Sequence, residues 1–60
     1  MTNLERRRRE AGLTITKLSE ISGVSCPTIV KIEAGRIAEV TVKTILRLSD
    51  ALGCDPRDIF

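Results

Sequence analysis

Residues 14–35 constrain this chain more than any other stretch, because two short amphipathic segments flank Gly23 there. Leu18 and Ile21 stand three apart before it, and Ile29 and Ile32 stand three apart after it, the spacing of one helical face. Gly23 falls where a tight reversal demands a positive φ, which glycine adopts without strain. Ser19 is small enough to let a second helix approach closely, and Val24 is placed to plug the angle between the two. Two helices meeting steeply across a glycine turn make a helix-turn-helix unit.

The length of 60 residues allows one domain, 1–60. With one aromatic residue in the chain, the core must be aliphatic. A chain this short has a marginal core and depends on good helix packing or on a second copy. No apolar run approaches the roughly 20 residues that span a bilayer, and the charged N-terminal segment lacks the apolar stretch of a signal peptide. The expected location is therefore the cytoplasm, with no membrane contact. Cys26 and Cys54 are far apart, form no CxxC pair and have no histidine to join them, so they read as reduced thiols rather than metal ligands. The formal net charge is only +2, and its distribution says more than its size: the basic residues cluster early while the acids are spread out.

Residues 4–11 are predicted as a first helix, supported by the i,i+4 pairs Glu5–Arg9 and Arg6–Glu10 and ended by Gly12. The run Arg6–Arg7–Arg8–Arg9 cannot face one ligand, since successive helical residues point about 100° apart; it reads as a solvated face. Leu13 is assigned to the core. Thr14 caps a second helix over 15–22, and Ser25 caps a third over 26–34. Pro27 is tolerated in that first turn, where its missing N–H has no intrahelical acceptor. Gly35 ends the helix. Thr41 caps a fourth helix over 42–52, with Val42, Ile45, Leu48 and Leu52 as its core-facing stripe. Lys43 and Arg47 occupy another face. Gly53 ends that helix, and Asp55, Pro56 and Asp58 have the pattern of N-cap, N1 and N3 of a last short helix. Ile59 and Phe60 either close the core or face a second subunit. The expected fold is all-α, five short helices.

The pattern Leu18-Ser19-x3-Gly23-Val24-Ser25-x3-Ile29-x2-Ile32-Glu33-x-Gly35 resembles the Cro/phage-repressor (XRE, lambda-repressor-like) helix-turn-helix family. Arg8-x3-Gly12-Leu13-Thr14, Leu46-x-Leu48-x3-Leu52-Gly53 and Ile59-Phe60 extend the similarity over nearly the whole chain. The resemblance implies a lambda-repressor-like fold and a DNA-binding transcriptional regulator, most often a repressor, that lays the helix at 26–34 in the major groove of double-stranded DNA. It implies a structural ion pair between Arg8 and Glu33. It also places Thr14, Thr16, Lys17, Ser25, Cys26, Pro27, Thr28, Lys31, Arg36 and Lys43 at the DNA. Arg36, Lys17, Lys43 and the N-termini of the second and fourth helices would hold phosphates. Cys26, Pro27, Thr28 and Lys31 would meet base edges. A homodimer on DNA would meet through Cys54, Pro56, Ile59 and Phe60.

The chain departs from the family in three places. Ile15 stands where the family usually has glutamine. Lys17 stands where an acidic residue is common, and a cation near a helix N-terminus opposes the macrodipole unless a phosphate lies nearby. The exposed residues of the third helix are unusual readers, since bidentate recognition needs Arg, Lys, Asn or Gln and only Lys31 qualifies. Pro27, Val30 and the Thr28 methyl suit apolar contact with thymine instead. The alternative reading is a protein-interaction module on the same fold, an antitoxin-type or regulatory subunit with weak or nonspecific DNA binding, whose Ile15, Val30, Ile37 and Val40 face its partner. Without histidine, a Gly-rich phosphate loop or clustered acids, little is present to act as base or nucleophile. The chain is therefore read as no enzyme, with no cofactor and no small-molecule ligand.

Overall fold

The computed structural model describes residues 2–36 and 40–59. Among them run four α-helices: α1 (Asn3–Glu10), α2 (Ile15–Ser22), α3 (Cys26–Glu33) and α4 (Val42–Leu52). A 3-10 turn over Pro56–Asp58 takes the place of the expected fifth short helix. Helix α2 packs against both α3 and α4, α1 packs against α3, and the 3-10 turn packs against α4. Phe60 and Ile37 lie outside the described residues.

Local chemistry sets the boundaries. The Thr14 hydroxyl accepts the Lys17 N–H at 3.1 Å, and the Thr41 hydroxyl accepts the Thr44 N–H at 3.3 Å. Thr2 does the same for Glu5 at 3.3 Å, which starts α1 one residue before the expected Leu4. Ser25 is the N-cap residue of α3, but its side chain makes no cap bond. Its hydroxyl pairs with that of Thr28 at 2.8 Å instead. Asp55 caps the 3-10 turn, accepting the Arg57 N–H at 2.9 Å.

The turn between α2 and α3 is built around Gly23, whose φ of +74° places it in the left-handed region while its N–H donates to the Ser19 carbonyl at 2.9 Å. Ser22 completes it. Its hydroxyl donates to the Leu18 carbonyl at 2.7 Å and accepts the Val24 N–H at 3.2 Å, so that N–H finds its acceptor within the bend. Val24 can then turn inward, and it is buried.

Among the described residues the buried core is aliphatic: Leu4, Leu18, Val24, Ile29, Ile32, Ile45, Leu48 and Ile59 are buried, with Leu13, Ile15, Val40, Ala51, Leu52 and Cys54 packed against them. Two expected core residues are not in it. Ile21 is 50% exposed and Val42 73% exposed. Ile21 lies on the side of α2 turned away from its neighbours. Val42 is the first residue of α4, where the helix begins before its packing surface does. Ser49 is buried although polar, and its hydroxyl is satisfied by the Leu46 carbonyl at 2.9 Å.

Candidate nucleic-acid interface

Among the described residues, helix α3 is held from one side. Ile29 and Ile32 face the core, while Pro27, Val30 and Lys31 are exposed and Cys26 and Thr28 are half-buried. The 3.6-residue repeat explains the division: positions 27, 30 and 31 lie roughly opposite the midpoint of 29 and 32. The helix ends at Ala34 and Gly35, where the Gly35 N–H reaches the Ile32 carbonyl at 3.0 Å and the Arg36 N–H reaches the Lys31 carbonyl at 2.9 Å. That pair of bonds is a Schellman closure. It puts the exposed Arg36 directly beyond the C-terminus of α3.

A bidentate ion pair ties α3 to α1. Arg8 Nε donates to Glu33 Oε2 at 2.7 Å and Nη2 donates to Oε1 at 3.2 Å, while Nη1 donates to the Leu13 carbonyl at 2.8 Å. The two side chains are only 11% and 10% exposed. The hydrogen bonds that Arg8 donates to Glu33 hold its guanidinium above its ordinary pKa, outweighing the opposing effect of burial. Charge, planarity and burial together make this a strong polar link between α1 and α3.

Among the described residues, acidic side chains are unevenly placed at the helix starts. The first turns of α2, α3 and α4 contain none, whereas α1 has Glu5 and the 3-10 turn has Asp58. Lys17 and Lys43 lie in the first turns of α2 and α4 and are exposed. Lys17 also approaches Glu20 at 3.6 Å on the open surface, a contact worth little energetically. Thr14 and Thr16 are exposed as well, with the Thr14 hydroxyl occupied as a cap.

The residues expected at a dimer contact divide. Ile59 is 2% exposed and belongs to this chain's own core, so it offers no surface to a second copy. Cys54 and Pro56 are half-buried, and the expectation for Phe60 falls outside the described residues. Cys54 packs against the core. Burial pushes its thiol pKa up, with Arg7 opposing and Asp58 and Asp55 adding to the shift. Arg7 Nη2 pairs with Asp58 Oδ2 at 3.4 Å, joining α1 to the C-terminal turn. Sequence reasoning missed that link, since no periodicity connects opposite ends of a chain. The expected partner-facing patch also loses members, because Ile15 and Val40 pack against the core.

The helix-turn-helix family model matches residues 4–59. No curated protein and no solved structure matches the chain. No helix among the described residues is long and apolar enough to cross a membrane. With a family match over nearly its whole length and the fold that goes with it, this chain belongs to the Cro/lambda-repressor-like helix-turn-helix family of DNA-binding regulators.

Proposed function

We propose that this chain is a sequence-specific transcriptional regulator of the cytoplasm, acting as a repressor that occupies its operator with α3 in the major groove. The observation that carries this reading is the one-sided anchoring of α3: two aliphatic residues and a buried ion pair hold it from within, and its outer face stays open. Arg36, Lys17 and Lys43 supply cations for phosphates, and the acid-free starts of α2 and α4 favour the same charge. Cys26, Pro27, Thr28 and Lys31 then meet base edges. One module of this size buries only about 600–1,000 Å² on DNA and discriminates poorly alone. The working unit is therefore a two-fold dimer with its α3 helices one DNA turn apart, roughly 34–36 Å. Cys54, Pro56 and Phe60 remain its contact residues, and no small-molecule ligand is required.

Selection from a random duplex library tests this reading. Enrichment of a palindromic sequence supports it, and no enrichment over bulk duplex at low salt refutes it. The exposed Ile21, Val30, Val42 and Leu46 favour a second reading, a protein-interaction module on the same fold. Retention on heparin and on random duplex separates the two, since the second requires neither.

A further inference from the structure

We propose that α3 recognises its operator through the C5-methyl groups of thymine, with Pro27 and Val30 as the specificity-determining contacts. This rests on the reading of α3 as the helix that enters the major groove.

The first turn of α3 has little hydrogen-bonding capacity to spend on bases. Pro27 has no N–H. The Thr28 N–H donates to the Ser25 carbonyl at 3.1 Å, and the Thr28 hydroxyl is engaged with that of Ser25 at 2.8 Å, which leaves that pair at most one O–H. Cys26 has only a weak thiol donor. From Cys26 to Val30 no Arg, Lys, Asn or Gln occurs, so the bidentate pairings that read guanine and adenine cannot be made there.

What this turn does present is apolar and stiff. Pro27 is exposed and Val30 is half exposed, at 50%. The pyrrolidine ring is fixed, and the β-branched valine has little χ1 freedom to lose on contact. On the major-groove edges of the four base pairs, the thymine methyl is the apolar group that such a surface can bury. Lys31, one turn after Pro27 on the same face, adds a cation suited to guanine O6 and N7.

The test uses the duplex enriched from a random library. It is compared with the same duplex carrying deoxyuridine in place of thymine across one half-site, which removes methyl groups and keeps base pairing. Each buried methyl group is expected to contribute about fourfold in affinity, so losing two should weaken binding about fifteenfold. The salt slope should not change, because the phosphate contacts are the same. Val30→Ala and Pro27→Ala should bring the thymine-to-uracil ratio toward one, whereas Arg36→Ala should weaken both duplexes and keep the ratio. Positions 27 and 30 lie outside the core, and circular dichroism verifies that each variant folds. Equal affinity of the wild type for both duplexes overturns the methyl reading while leaving groove entry intact. An enriched sequence without thymine opposite α3 overturns it as well. Failure to bind any duplex at low salt overturns groove entry itself.

Discussion

Replacing Glu33 with alanine strands a buried guanidinium. Arg8 loses two of its three hydrogen bonds and keeps the one to the Leu13 carbonyl, in a site where its side chain is 11% exposed. Removing one partner of a buried pair costs about 3–5 kcal/mol. The surviving carbonyl bond and the residual exposure place this case near the lower end, at about 3 kcal/mol. A domain of 60 residues has a total stability of roughly 3–9 kcal/mol, so the variant should lose a large part of it. In a domain of this size each kcal/mol lowers Tm by about 4–8 °C, giving a drop of roughly 12–24 °C. Thermal and urea unfolding followed by circular dichroism measure both quantities, with the urea slope unchanged if only the folded state is affected. Glu33→Gln, which keeps an acceptor without the charge, should fall between wild type and Glu33→Ala. The double variant Arg8→Met/Glu33→Leu should melt above Glu33→Ala, because replacing both charges leaves none unpaired. A Tm for Glu33→Ala within about 3 °C of wild type would refute the assignment, most pointedly if DNA binding were lost at the same time.

The other expected outcomes concern recognition, assembly and pH. Lys31→Ala should change base preference at one operator position, whereas Arg36→Ala should weaken all sequences alike and lower the salt slope by about one; uniform loss in both variants would remove Lys31 from the base-reading set. Full-site duplexes should bind cooperatively relative to half-sites in gel titrations, and equal affinity per protein with a single shifted band would rule out the dimer. Burial raises the Cys54 pKa in the folded state, so the unfolded chain releases its thiol proton first as pH rises. Stability should accordingly be greatest below the ordinary thiol range and decline above roughly pH 8.5, and Cys54→Ala should lose that part of the decline. A pH profile between 8 and 10 identical in both proteins would contradict this.

Helix existence was legible because punctuation and periodicity agree. Thr14, Gly23, Gly35 and Thr41 mark ends through the same cap and left-handed geometry that the backbone adopts. Periodicity failed at helix ends. In eight residues, two apolar positions three apart leave the buried side undetermined by half a face, and Ile21 fell on the open half. Val42 fits the stripe of α4 but precedes the surface that would cover it. Ser22 gave no signal, since its two bonds depend on the bend that they help to form. The buried Arg8 was invisible to hydropathy, and its partner was named through family likeness rather than spacing. The outer face of α3 followed from helical geometry once Ile29 and Ile32 were assigned to the core, while its shortage of free donors appeared only with the Ser25–Thr28 hydroxyl bond.

Arg8 grips Glu33 and the Leu13 carbonyl at once, and this bears on motion as well as on melting. For α3 to lift away by itself, the Arg8 guanidinium would lose both of its bonds to Glu33 while the Leu13 carbonyl kept it fixed on α1, so a partial opening confined to α3 is disfavoured. The amide hydrogens of α1 and α3 should then exchange with solvent as one cooperative unit, at matched opening free energies. A recognition helix coupled in this way reaches its ligand already oriented. The angle it presents is inherited from a helix on the far side of the ion pair that need never touch the ligand.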